Sequence, residues 1–365
     1  MKKSWIGFSS LVLASSLLAG CGAANAGDMK VLSSNVKEQS LAQESMLQVV
    51  KKESHVIPVT AEYNGISSNA VFFNENGKTM KYDLTTKATE QVGDLEFYDL
   101  SSNGQRALAR DGVDTYVLDF PSGEKYFVGS GGEDYEYYFA DDEGKKVFYV
   151  EGNVSTRVVH LIGVDTATVQ NWSLDQYDLN NFTINGAVLG VDGAYATIYD
   201  GQKDELYKLG FDGEIVKVND LEGFDTIGHF HFLNESTIIF NDMYEGQSGI
   251  YTLNLQTNEV VQLVAGGEDD EGIWVPFYRL SPDKTKILFD MPVQVGKEYK
   301  SNVFVGNLTD KGVTDISNVM VSADLFAVID SVARWSEDST TVSIATNVDR
   351  EIEIDTVEVF EITTK

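Results

Sequence analysis

A single cysteine, Cys21, is the whole thiol content of this 365-residue chain, so no intramolecular disulfide can form. Proline is scarce, at 5, and basic residues are few: 27 Lys and Arg stand against 57 Asp and Glu, a formal charge of -30. Such a surface repels phosphate backbones, which excludes nucleic acid as an expected partner. Only 4 His are present. A Gly-x-Ser-x-Gly elbow, a Walker loop, a dinucleotide-binding glycine motif and a paired-Cys motif are all missing, so no familiar catalytic set is legible. Residues 6–18 are apolar but too short to span a bilayer as a mature helix.

What is present points to strands. Gly is frequent, at 32, and Tyr, Phe, Val and Thr favour pleated, half-buried positions. The segment Gly249-Ile250-Tyr251-Thr252-Leu253-Asn254-Leu255 alternates large apolar with small or polar residues, the period of a half-buried strand. Gln256-Thr257-Asn258-Glu259 turns the chain, and residues 260–264 return it. Further on, Tyr278-Arg279-Leu280 runs into Ser281-Pro282-Asp283-Lys284, a turn with φ preset by proline, and Ile287-Leu288-Phe289 follows.

This unit recurs seven times. Its first turn is read at Ser67-Ser68-Asn69, Ser101-Ser102-Asn103-Gly104, Asp141-Asp142-Glu143-Gly144, Asn185-Gly186, Asn234-Glu235, Ser281-Pro282-Asp283 and Ser336-Glu337-Asp338. Measured at Ala70, Gly104, Gly144, Gly186, Glu235, Lys284 and Ser339, the spacings are 34, 40, 42, 49, 49 and 55 residues. A second hairpin recurs in the same register, and the fourth copy is the least regular. Four short strands per repeat, seven times over, predict an all-β, seven-bladed propeller with four-stranded antiparallel blades. The last copy has no fourth strand. His55-Val56-Ile57-Pro58-Val59 is expected to supply it and close the ring, with Pro58 suited to an outer edge.

The N-terminus reads as an address. Lys2-Lys3 precede the apolar stretch and small residues follow it, the arrangement of a secretory signal. Leu18-Ala19-Gly20-Cys21 resembles the lipobox of bacterial lipoproteins, which implies cleavage before Cys21 and a diacylglycerol on its sulfur. The expected division is a signal peptide over 1–20, an anchored tether and short helix over 21–54, and the propeller over 55–365. The helix is expected within residues 35–53, where Val36, Leu41, Met46, Leu47, Val49 and Val50 recur at roughly helical spacing. The expected location is the extracytoplasmic face of a cell membrane, held there by two or more acyl chains.

Tyr278-Arg279-Leu280-Ser281-Pro282-Asp283-Lys284-Thr285-Lys286-Ile287-Leu288-Phe289 resembles the TolB-like propeller repeat, and Arg334-Trp335-Ser336-Glu337-Asp338 resembles it again. The resemblance spans residues 60–365 and implies a protein-binding scaffold of the cell envelope. The lipid anchor departs from TolB, as does the lack of room for TolB's additional N-terminal domain.

Three groups are candidates for function. Glu133, Asp134 and Tyr135 follow two glycines, and Glu268, Asp269, Asp270, Glu271 and Trp274 repeat that arrangement. Both stretches connect one blade to the next. Because strands alternate direction, they share a face with the acidic loops at 111–114, 200–205, 242–245 and 349–355. That face is expected to be negative and flanked by aromatic residues. It would suit a protein, a cationic peptide or a cell-wall component, or Ca²⁺ among hard oxygen ligands, although no Asp-x-Asp-x-Asp-Gly calcium loop is present. A solvated charged rim is the plainer account. His229 and His231 fall two apart on a strand, hence on one side, and form a metal candidate that lacks an obvious third ligand. Two polar residues on a strand, flanked by buried Phe230 and Phe232, are the plainer account. Prolyl-oligopeptidase-type enzymes join a propeller to a hydrolase domain, for which the last repeat leaves no space. The chain is therefore read as a non-enzymatic envelope binder. The alternative is a hydrolase or metal-dependent enzyme working at the channel mouth.

Overall fold

A serine opens the first turn of four blades and explains why the repeat is legible. Ser67, Ser101, Ser281 and Ser336 each place Oγ 3.1, 2.9, 2.6 and 2.6 Å from the side-chain oxygen of the Asn or Asp two residues later. In three of them the same Oγ accepts the N–H five residues on, from Arg106, Lys286 and Thr341 at 2.9, 3.0 and 2.9 Å. Asp141 replaces the serine in the third blade and accepts from the Lys145 N–H at 2.8 Å. Such side-chain bonds to the backbone stabilise a turn locally. The fourth turn residue is left-handed: Gly104, Gly144, Lys284 and Ser339 have φ of 67°, 68°, 58° and 58°.

The computed structural model describes residues 29–31, 46–57, 63–131, 137–153, 156–174, 183–199, 203–225, 227, 229–269, 272–295, 298–309, 311–323, 325, 329–346 and 356–364. Within them lie seven antiparallel four-stranded blades arranged in a ring, and helix is almost absent. The all-β, seven-bladed expectation is borne out. Blades occupy residues 63–91, 97–130, 137–173, 183–219, 230–265 and 278–323, and the seventh combines 333–364 with an N-terminal strand. Core clusters join neighbouring blades. Ala70 and Phe72 of the first blade, for example, pack with Phe97, Leu100, Ala107, Ala109 and Leu118 of the second. Burial of these apolar faces is the main cohesive force of the ring.

The N-terminal strand is Leu47–Val56. It pairs with Thr356–Thr364 from Leu47 opposite Thr364 to Val56 opposite Thr356. Closure by an N-terminal strand is therefore present, but it uses 47–56 rather than 55–59, sharing only His55 and Val56 with the expected segment, and Pro58 lies outside the described residues. The expected helix gives way here to strand, while residues 35–45 lie outside the described set. The pattern of Leu47 buried and Val49 half-buried with Gln48 and Val50 exposed satisfies period two, and the otherwise unpaired edge of Thr356–Thr364 selects it. Leu47 is buried, and its carbonyl accepts from Ser317 Oγ at 2.9 Å.

The fourth blade corrects another expectation. Asn185-Gly186 is not its first turn but sits inside the strand Thr183–Leu189, where the register shifts between Ile184 and Gly186. The turn is at Gly190, Val191 and Asp192, followed by Gly193–Tyr199. A bulge glycine and a turn glycine look alike in sequence.

Two faces of the disc follow from the hydrogen bonds. In every blade an N–H at or just after the end of the third strand bonds a carbonyl of the first turn: Leu84 to Asn69, Phe120 to Gln105, Val164 to Lys145, Phe211 to Asp192, Leu255 to Ser236, Leu308 to Thr285 and Ile362 to Thr340. These turns form one face, the turn face. On the other, the loop face, the loops between second and third strands meet the connections between blades. Gly131 N–H bonds the Val113 carbonyl there, and Gly266 N–H the Ser248 carbonyl.

Candidate functional site

First strands converge on the axis of the ring. Arg279 of the sixth blade spans it, with Nη2 donating to Ser102 Oγ of the second blade at 2.9 Å. Its Nη1 donates to Asp330 Oδ1 at 3.1 Å. Asp330 lies on the single helical turn Ile329–Val332 that leads into the seventh blade. Arg334 closes that turn from its C-terminal end, donating from Nη1 to the Asp330 and Ala333 carbonyls, both at 2.8 Å. A cation at the exposed carbonyls of a helix end is favourably placed.

His229 and His231 face the same cluster. Their rings meet edge to face with centroids 4.6 Å apart, so the expected shared side is observed. His229 is exposed, and its Nε2 is 3.5 Å from Asp330 Oδ2. His231 Nδ1 lies 3.0 Å from Tyr278 Oη. The single Tyr278 hydroxyl proton is donated to the Ile239 carbonyl at 2.9 Å, so Nδ1 of His231 is the donor to the phenol. This fixes the proton on Nδ1 and the lone pair on Nε2. Burial first, then the charge of His229, pushes His231 down to about 3, so its ring is neutral near pH 7. Burial pushes the Tyr278 phenol well up.

Two carboxylates at this centre behave oppositely. Burial alone would raise Asp330, but Arg279 above all, then His229, His231 and Arg334, hold it down to about 2. Among the described residues Asp290 has no such cation. Burial pushes it up to about 6 against the bonds it accepts, from Phe277 N–H at 2.9 Å and Ile329 N–H at 3.1 Å. Asp290 thus ties together the entries to the sixth and seventh blades.

The cluster is poorly disposed for a metal. Asp330 is the third ligand type that His229 and His231 lack in sequence, yet its carboxylate is engaged by the Arg279 guanidinium, which repels a cation. Among the described residues no group of three His, Cys, Asp or Glu side chains is placed to hold a metal ion.

The acidic candidates are only partly described. Glu133, Asp134, Tyr135, Asp270 and Glu271 lie outside the described residues, as does Cys21. Glu268 and Asp269 are placed by backbone alone, in a small hairpin that pairs Gly267–Asp269 with Gly272–Trp274. Trp274 folds back over Gly267, where a Cβ would come within 2.8 Å of the indole. It is half-buried, and its indole N–H has no hydrogen-bond partner among the described residues. Asp242 and the pair Asp204, Glu205 are buried, so these acidic loop residues do not belong to the rim. Glu205 instead accepts from Tyr207 at 2.6 Å and Lys217 at 3.4 Å.

Elsewhere the loop face carries Glu75, Glu96, Asp111, Glu222 and Glu245, all exposed or half-exposed at the ends of strands and in loops. None of these makes an ion pair among the described residues. On the turn face, by contrast, Asp83 accepts from the Thr85 and Thr86 N–H groups at 3.0 and 2.8 Å, Asp119 pairs with Arg106 at 2.8 Å, and Asp192 pairs with Lys208. These three acids build the fold; the five loop-face acids remain turned to solvent, while Asp220 on the same face pairs with Lys203 and Lys217 at 3.2 and 2.7 Å.

Arg279, Asp330, Asp290 and Ser102 are not marked as functional by the sequence. Arg279 and Arg334 occupy the same place in two repeats, the middle of the first strand, and in a chain of charge -30 that coincidence is the available signal. Asp330 lies in an irregular connection and carries none.

No protein family matches the chain, and no curated protein matches it in sequence. Among solved structures, a chain of the mitotic checkpoint complex superposes with a TM-score of 0.50 at 11% identity, covering 86% of this chain and 95% of that one. A chain from the structure of a eukaryotic initiation factor gives 0.44 at 9% identity, covering 88% and 86%. At such identity the first likeness bears on fold alone, and the fold it supports is the β-propeller.

Proposed function

We propose that this protein is a non-enzymatic, lipid-anchored propeller of the bacterial cell envelope, similar to TolB in its repeat. Its loop face takes a cationic partner: a protein, a peptide or a cell-wall component. The observation that carries the reading is a set of five loop-face carboxylates: Glu75, Glu96, Asp111, Glu222 and Glu245 face solvent without ion pairs among the described residues, while Asp83, Asp119 and Asp192 of the turn face are engaged in turns and salt bridges. Lys2, Lys3, the apolar run and the Leu18-Ala19-Gly20-Cys21 motif support the anchor, and two acyl chains would make it stable.

The test is a crosslinking pull-down of the lipidated protein from its own cells, beside a variant with Glu133, Asp134, Asp269 and Asp270 changed to Lys. A partner recovered with the wild type and lost with the variant supports binding at the acidic face. Equal recovery by both removes that face from the account.

A second reading, an envelope hydrolase at the channel mouth, is favoured by one observation. His229 is exposed and next to the ionised Asp330, a base with an orienting carboxylate. Hydrolytic activity that disappears in His229→Gln would support it.

A further inference from the structure

We propose that the loop face is turned toward the membrane, held there by the route of the N-terminal chain. The proposal rests on the lipid anchor at Cys21 put forward above. Met29–Val31 forms a strand antiparallel to Lys286–Val295, with Met29 opposite Val295 and Val31 opposite Val293. Lys286–Val295 leaves the turn face, where Ser281 and Lys284 make its first turn, and ends in the loop to Glu298–Thr309. Met29 therefore sits at the far end of this hairpin on the loop side, and residues before it leave from there.

The hairpin also stands proud of the disc. Its strands run 10 and 12 residues, against 6 and 6 in the first and second blades. The first strand of the blade, Tyr278–Leu280, pairs only as far as Phe289, and Met29–Val31 takes the same edge farther out. At about 3.3 Å per residue, this places the exit point roughly 20 Å along the strand beyond the last paired residue of the first strand.

Chain length then decides the orientation. Cys21 precedes Met29 by eight residues, which reach at most about 29 Å when fully extended. Returning along Lys286–Val295 to the turn face takes about 30 Å, before any distance to the lipid is added. An anchored Cys21 cannot bring the turn face to the bilayer. An edge-on stance is opposed as well, because Glu298–Thr309 and Gly312–Ala323 lie outside Lys286–Val295 while Met29–Val31 lies on its axial side. Glu75, Asp111 and Glu245 then look toward the lipid, and the turn face looks away from it. A partner of the loop face must accordingly be reachable in the layer beside the membrane.

Lipidation consumes the one native thiol, so an added cysteine labels uniquely. Val113→Cys marks the loop face and Val191→Cys the turn face; the two side chains are 64% and 74% exposed, so both substitutions should fold. Full-length lipidated protein carrying a donor dye at either position is bound to phosphatidylcholine vesicles containing acceptor-labelled lipid. Energy transfer from position 113 is expected to exceed that from 191 at least threefold. A further variant with twenty Gly/Ser residues inserted after Gly22 should reduce that ratio toward one. Equal or reversed transfer by protein that floats with the vesicles overturns the orientation and leaves the anchor standing. Failure to float overturns the anchor, and the orientation with it.

Discussion

Replacing Asp290 by Asn should change the pH dependence of stability in a calculable way. Asp290 is 8% exposed, and its carboxyl is raised from 3.8 to about 6 in the folded chain. A carboxyl with a raised folded value keeps its proton longer in the native state than in the unfolded one. Between about pH 4 and 6 the native state binds more protons, so stability falls as pH rises through that window. At 1.36 kcal/mol for each pH unit that separates the folded and unfolded values, the loss approaches ~3 kcal/mol by pH 7. The amide of the Asp290→Asn variant cannot ionise, which removes this slope. Its carbonyl oxygen can accept only one of the Phe277 and Ile329 N–H groups well, because its amino group faces the other. That costs about 1–3 kcal/mol at every pH. The variant should be less stable than the wild type at pH 4 and equal or more stable at pH 7. Asp330, held down to about 2, gives up its proton earlier in the folded chain than in the unfolded one, which adds a slope of opposite sign that fades between about pH 4 and 5 and is common to both proteins. Other groups contribute equally to both proteins and cancel in the difference. Urea unfolding at pH 4, 5, 6 and 7, with equal m-values, measures it. Parallel stability curves for the two proteins across that range would refute the reasoning.

Three further outcomes are expected. Leu47→Ala, at a side chain 3% exposed in the closing strand, should cost about 2–5 kcal/mol in urea unfolding; a loss below about 0.5 kcal/mol would mean that the strand closes nothing. Gly104→Ala places a Cβ 2.4 Å from Ser67 Cβ at φ of 67°, whereas Gly112→Ala meets open space at φ of 63°. The second should cost only the left-handed strain of about 1–2 kcal/mol, and the first clearly more, so equal losses would dismiss the packing argument. Arg279→Ala leaves Asp330 without its main cation and should cost about 3–5 kcal/mol, part of which the double variant with Asp330→Asn should restore in a thermal melt.

The repeat is readable because its information is local. Ser281 and Asp283, or Ser336 and Asp338, bond within their own turn, and the left-handed residue follows three positions after the serine. A turn of that kind needs no knowledge of distant residues. Closure lies at the opposite limit. Leu47 with Val50 fits a helix face and Leu47 with Val49 a strand face, and the strand that decides between them, Thr356–Thr364, lies at the other end of the chain. The hairpin Gly267–Trp274 reads as a loop in sequence because its pairing is only three residues deep.

The channel divides along the same line, residue by residue. Arg279 and Arg334 inherit their position from the repeat, so the sequence carries their location. Their partners are residues the repeat does not specify: Ser102 is the variable second residue of a first turn across the ring, and Asp330 comes from a connection of irregular length. Position is thus repeated while partnership is particular to each blade. A propeller varies its function in this way, since regular strands fix where a side chain meets the axis and the irregular segments decide which charge it meets there. Asp290 and Asp330 illustrate the result. Both are largely buried acids beside the same helical turn, yet one faces backbone N–H groups and is raised to about 6, and the other faces Arg279 and is lowered to about 2. That separation is set chiefly by one guanidinium, which the repeat supplies and an irregular connection uses.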